Sequence, residues 1–117
     1  MKSPRQKLIK NLDTLVRLQV RARDNMVCQK CGRQASDVSH VIPRGSMRLR
    51  WDMTNLKMLC RRCHLYWWHK NPLEAAEWFK NTFPERATYL ERHKHDVVHF
   101  SVAELEDLYE KLKTKSR

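Results

Sequence analysis

Two Cys-x-x-Cys pairs, Cys28/Cys31 and Cys60/Cys63, account for every cysteine in the 117-residue chain. Four thiols in two short pairs suit a tetrahedral Zn²⁺, because each pair can close a tight knuckle that offers two ligands. The second pair follows 28 intervening residues, positions 32 to 59, so another small structure must fold between the knuckles. Two disulfides are the alternative. The chain opens on a basic amphipathic stretch with no apolar signal region, and every cysteine sits in a matched pair, which favours one structural zinc per chain. Thiol redox chemistry is disfavoured, since Cys-x-x-Cys redox motifs sit in a βαβ setting that this sequence lacks.

A chain of this length makes one domain with a modest core, small enough that a structural metal contributes appreciably to folding. The net charge is +11 and is unevenly spread. Residues 1 to 84 hold 17 Lys/Arg against 6 Asp/Glu, whereas residues 85 to 117 hold 7 against 7. A basic surface around a metal site suits a polyanion, because neutralising phosphates releases counterions. Membrane is not expected as a partner: no run approaches the roughly 18 apolar residues of a span, and no stretch joins a basic face to a strongly apolar one. The expected location is the cytoplasm of a bacterial or phage-infected host cell.

Ser3-Pro4-Arg5-Gln6 reads as a capping box with proline at the first helical position. Leu8, Ile9, Leu12, Leu15, Val16 and Val20 then recur at helical spacing, predicting a helix to about residue 21 or 22 that leaves Lys7, Lys10, Arg17 and Arg21 mostly solvated. Gly32 supplies the freedom to turn after the first knuckle. Val38 to Pro43 predicts one strand of a hairpin and Leu56 to Leu59 the other, with a helix starting near Cys63. Asn71-Pro72-Leu73-Glu74 predicts another capped helix, with Ala75, Ala76, Trp78, Phe79 and Phe83 buried. Two more helices are expected, one from about Thr82 to His93 and one capped by Ser101. Trp67, Trp68, Trp78 and Phe79 are read as core and not as a base-stacking platform, and His93, His95 and His99 as surface or helix-end histidines.

Ser39-His40, Asn55-Leu56 and Leu59-Cys60-Arg61-Arg62-Cys63-His64 together resemble the HNH nuclease motif of the ββα-metal, or His-Me finger, superfamily in its form with two zinc knuckles. The likeness covers about residues 26 to 70, and its narrower form points to phage-type proteins and NinG-like recombination proteins. It implies a mainly α fold with a small β-hairpin: a single domain over 1 to 117, with an N-terminal helix in 1 to 25, a zinc-stapled ββα-metal core in 26 to 70, and C-terminal helices in 71 to 117. It also implies DNA, duplex or branched, as the partner, and hydrolysis that leaves 5′-phosphate and 3′-hydroxyl ends. A homodimer cutting both strands is compatible with this.

The resemblance assigns His40 as general base, Asn55 as the residue that holds the loop and orients His40, and His64 as ligand of a catalytic Mg²⁺ or Mn²⁺. Cys28, Cys31, Cys60 and Cys63 hold the structural zinc. One departure stands out. The residue before the central His is commonly acidic or His in the family, and here it is Ser39, whose hydroxyl is a poor metal ligand. Ser39, His69 and Asp37 all remain candidates for the second ligand, although His69 lies five residues past His64, about 140° around an ideal α-helix. Arg44, Arg48, Arg50, Arg61 and Arg62 are the expected DNA-contacting charges. The rival reading is a catalytically inactive zinc-ribbon DNA-binding protein.

Overall fold

The computed structural model describes residues 1–115. Helix α1, Pro4–Arg23, starts at the expected box: Ser3 Oγ accepts from the Gln6 amide at 3.2 Å, and Gln6 Oε1 accepts from the Ser3 amide at 2.9 Å. Leu12, Val16 and Val20 form its buried stripe. The chain leaves α1 through two residues in the left-handed region, Asn25 and Met26, with φ of 57° and 56°. That reversal carries it directly into the first knuckle. Gly32 closes the knuckle with φ of 79°, the conformation in which glycine avoids the Cβ penalty.

Strands β1, Asp37–His40, and β2, Leu56–Leu59, pair antiparallel with Asp37 opposite Leu59 and His40 opposite Leu56. The first strand is shorter than expected. Past His40 its place is taken by a loop that folds over the hairpin and ends in a 3₁₀ turn, Met53–Asn55. After β2 a single turn α2, Arg61–Cys63, runs into a five-residue π-helix, His64–Trp68. Helices α3, Pro72–Thr82, α4, Pro84–His93, and α5, Val102–Lys115, complete the order. The capping box at Ser101 forms as read, with Glu104 and Ser101 exchanging bonds of 3.0 and 3.1 Å. Asn71 precedes α3 but makes no side-chain cap bond, so that helix starts on the fixed φ of Pro72 alone.

Two apolar clusters hold these elements. In the first, Leu12, Val16 and Val20 of α1 meet Leu56, Met58 and Leu59 of β2, Leu105 of α5, and Cys28 and Trp51. In the second, Leu49 of the loop packs on Phe79 of α3 and Leu90 of α4, with Trp68, Trp78 and Phe83 against them. Trp68, Trp78 and Phe79 are thus in or against the core, as their spacing predicts, whereas Trp67 meets Trp68 and Trp78 but belongs to neither cluster, and Ala76, expected to be buried, is exposed on α3. Removing each such side chain from water contributes about 2 to 3 kcal/mol, so the two clusters carry the helices onto the hairpin without help from its few ladder bonds. Arg23 and Asp24 stitch the end of α1 to the hairpin: Arg23 donates to the carbonyls of Met53 and Leu56, and the buried Asp24 accepts from the Met58 amide at 3.0 Å. No helix among the described residues is long and apolar enough to cross a membrane.

Candidate active site and metal centre

The two knuckles converge. The sulfurs of Cys28, Cys31, Cys60 and Cys63 all lie within 4.8 Å of one another, with Cys31 and Cys60 Sγ 3.7 Å apart. In each knuckle the amide of the second cysteine points at the sulfur of the first, at 3.5 Å for Cys31 and 3.4 Å for Cys63. Burial opposes ionisation of Cys28, yet the knuckle amides aimed at it outweigh that and bring its pKa down to about 7. Four soft donors in a cluster this tight fit a tetrahedral ion such as zinc. The cluster joins residue 28, just past α1, to both ends of the β2–α2 corner. It therefore fastens the elements that carry the neighbouring histidines.

His40, His64 and His69 line one cleft of about 610 Å³, together with Asp13, Arg17, Arg44 and Trp68. His40 closes β1, half-buried, with Nε2 3.1 Å from the Arg50 carbonyl. A carbonyl only accepts, so in the neutral ring Nε2 carries the hydrogen and Nδ1 keeps the lone pair. Burial pushes the pKa of His40 below its usual value, and the charges of Arg44 and Arg50 push the same way, against the Arg50 carbonyl and Asp13. The imidazole is consequently neutral, and basic at Nδ1, at neutral pH.

His64 opens the π-helix. Its Nδ1 lies 3.1 Å from Asp37 Oδ2, which fixes the hydrogen there and leaves the Nε2 lone pair for a ligand. The π-turn then alters the geometry expected for His69. Its amide donates to the His64 carbonyl at 3.3 Å, an i to i+5 bond that replaces the α-helical offset and sets the two imidazoles 4.8 Å apart, centre to centre. His69 is therefore beside His64 and not 140° away, and both residues line the cleft. Ser39 takes no part in the cleft. It is buried, and its Oγ accepts from Lys57 Nζ at 3.2 Å.

Asn55 is fully buried and spends its whole amide on the loop, accepting from the Ile42 amide at 2.7 Å and donating to the Ile42 and Leu49 carbonyls at 2.9 and 3.1 Å. The closed loop presents the Arg50 carbonyl to His40. Residues 28–66 match the HNH endonuclease family model. That HNH segment spans the four cysteines, His40, Asn55 and His64. No curated protein and no solved structure matches the chain.

The arginines read as DNA contacts fall into two sets around the HNH segment. Arg48 donates to Asp52 at 3.4 Å and to the Tyr89 hydroxyl at 3.0 Å. Arg50 forks onto both carboxylate oxygens of Asp13 at 2.9 and 2.7 Å, where Trp51 Nε1 joins it at 2.7 Å. Those two charges are engaged by carboxylates and hold the loop to α4 and α1. Arg44, Arg61 and Arg62 are exposed, and among the described residues only Arg61 of the three has a carboxylate near, Asp37 at 3.7 Å.

Two features of the site gave no signal in the sequence. Asp13 and Arg17 line the cleft from α1, Arg17 being solvated as expected while it does so. Lys57, on β2, is fully buried, its ammonium 3.2 Å from the centre of the Trp68 ring and, among the described residues, facing no carboxylate within bonding distance. Burial holds its pKa well below that of a free lysine, assisted by the charge of Arg86 and opposed by Asp24.

Proposed function

We propose that this chain is a metal-dependent DNA endonuclease that hydrolyses phosphodiester bonds and leaves 5′-phosphate and 3′-hydroxyl ends. The observation that carries the reading is the shared cleft of His40, His64 and His69, with one lone pair fixed by a carbonyl and another by a carboxylate. His40 Nδ1 accepts a proton from water as the water oxygen bonds to phosphorus, the phosphorus bond to the 3′ oxygen breaks, and that oxygen gains a proton from solvent. Asn55 keeps the loop closed, so that the Arg50 carbonyl holds His40 in the basic tautomer.

His64 and His69 would hold Mg²⁺ or Mn²⁺, with Asp37 orienting His64 through Nδ1. A divalent ion bound there stabilises the charge that develops on the phosphate and on the departing oxygen. Nitrogen donors rank Mn²⁺ above Mg²⁺, so manganese should support the faster reaction at low concentration. The four cysteines hold a structural zinc apart from this chemistry. Arg44, Arg61 and Arg62 supply phosphate contacts.

The test incubates zinc-reconstituted protein with supercoiled plasmid and with branched DNA, in Mg²⁺, in Mn²⁺ and without added divalent ion. Branched DNA is included because the narrower likeness to recombination proteins makes it the first structure to compare with linear duplex. Metal-dependent nicking that His40→Ala abolishes, with zinc content and DNA affinity retained, is the expected result. One observation favours the second reading, a DNA-binding protein without catalysis: Ser39 is turned to Lys57 and offers the cleft no ligand. DNA binding by the parent with no nicking in any metal would select it.

A further inference from the structure

Helix α1 lies outside the segment that matches the HNH model, yet it builds one wall of the cleft with Asp13, Val16 and Arg17. Arg17 is exposed and bonds only through Nε, to the Asp13 carbonyl of its own helix at 3.3 Å. Among the described residues no carboxylate pairs with it. The Asp13 side chain, four positions earlier on the helix, takes three bonds from Arg50 and Trp51 instead, which leaves the terminal nitrogens of Arg17 for another acceptor. Arg44, from the loop after β1, has the same standing: exposed, lining the cleft and without a carboxylate partner among the described residues.

We propose that Arg17 and Arg44 form a two-armed clamp for a single DNA backbone phosphate at the mouth of the cleft, beside His40. Two unpaired guanidiniums lining one small cleft repel each other and gain from an anion placed between them, and a phosphate oxygen set matches their planar donors. The field of Arg44 reaches both Asp13 and His40, lowering the pKa of each, and Asp13 lies one helical turn from Arg17 on α1. The clamp rests on the nuclease reading for its purpose, but not for its measurement, because the grip on phosphate is read from binding. It also gives α1 a part in the site beyond packing, as the arm that makes the HNH cleft two-sided.

The experiment measures binding of the full zinc-loaded chain to a labelled DNA duplex across a salt series, without added Mg²⁺ or Mn²⁺. Parent, Arg17→Ala, Arg44→Ala, the double variant and Arg17→Lys are compared, each first matched to the parent by helical circular dichroism. If both arms grip one phosphate, either single loss weakens binding several-fold but leaves that phosphate neutralised, so the log-log salt slope hardly moves. The double variant then loses about 0.9 of slope, and Arg17→Lys recovers most of the affinity. Two single variants that each lose about 0.9, with about 1.8 for the pair, would assign separate phosphates and overturn the shared clamp. Unchanged affinity and slope in all variants would overturn it as well. Nicking measured in parallel separates the two proposals: clamp behaviour without cleavage removes the nuclease alone, and cleavage with unmoved slopes removes the clamp alone.

Discussion

Asn55 and the backbone of Ile42 hold each other in both directions across 13 residues, with Asn55 Oδ1 accepting at 2.7 Å and Nδ2 donating at 2.9 Å. The side chain is a strut inside a buried loop. Asn55→Ala would leave the amide and carbonyl of Ile42 without partners, while the Leu49 carbonyl keeps its bond from the Asp52 amide at 3.2 Å, and each unsatisfied buried group costs about 1 to 3 kcal/mol before water enters. A net loss of about 3 kcal/mol is expected in chemical denaturation, together with an intermediate fall in cleavage, since a misoriented base keeps its basicity. Asn55→Asp should be no better, because it keeps the acceptor and loses both donor bonds. A loss under about 0.5 kcal/mol would show that the loop closes without the strut.

One Zn²⁺ per chain is expected in the purified protein, and Cys28→Ser or Cys63→Ser should unfold it. Binding at a site of this kind is coupled to folding and is of order 10 kcal/mol, comparable to the whole stability of a chain of this size. The check is metal analysis beside circular dichroism. Metal-free protein with its helical signal intact would show that the two clusters suffice without the staple.

The cleavage rate should depend on His40 in its neutral form, with the acid limb of kcat/KM falling below pH 6.5, because burial lowers the pKa of this imidazole. Arg44 lowers it further, so Arg44→Ala should move that limb to higher pH even as it weakens DNA binding. His40→Ala should be inactive at every pH. His64→Ala should be nearly inactive too, but partly rescued by raised Mn²⁺, which separates a ligand from a base. A limb that stays fixed in Arg44→Ala would mean that the titrating group is not His40.

Lys57 predicts a particular pH dependence of stability. Its pKa in the folded protein is depressed by burial, so between that value and the ordinary lysine pKa of 10.5 the unfolded chain binds more protons than the folded one. Stability contributed at this site rises with pH through that window and is lower below it. Lys57→Met, which keeps the packing under Trp68 and removes the charge, should therefore match or exceed the parent near neutral pH and lose its advantage as pH approaches 10. The measurement is the difference in unfolding free energy between the two proteins, both zinc-loaded, at several pH values. A difference that does not change with pH would put Lys57 in the same protonation state in the folded and unfolded protein.

Local signals carried much of the fold in the sequence. The capping boxes at Ser3 and Ser101, the bounds of β2 and the two cysteine pairs all depend on residues within a few positions of one another, and the structure has them as read. What the sequence did not disclose depends on distance. Arg50 meets Asp13 across 37 positions, and no local pattern says that its charge is spent there and that of Arg44 is not. Lys57 reads as an ordinary polar residue in a half-exposed strand until α3 and the π-helix cover both it and its neighbours. Asn71 carries a capping residue type but no cap bond, its ψ of 63° lying away from the extended backbone, ψ 164°, from which Ser3 caps α1. The second imidazole of the cleft was discounted for a sound local reason, since an α-helix would have turned it away.

The π-turn at His64–Trp68 also makes the site sensitive to chain length, and not only to side-chain identity. A π-turn behaves as an α-helix carrying one residue more than its ladder accommodates. Excising an exposed residue within it, Tyr66 for example, would remove no group that touches the cleft. It would nevertheless let the turn relax to α-helical register, bringing the shortened segment's imidazoles four positions apart while shifting Trp68 by one step against Lys57 on β2. Such a deletion would spare one pairing and break the other. The spacing of the two histidines is thus coupled to the packing of Trp68, and one cannot be reset without the other.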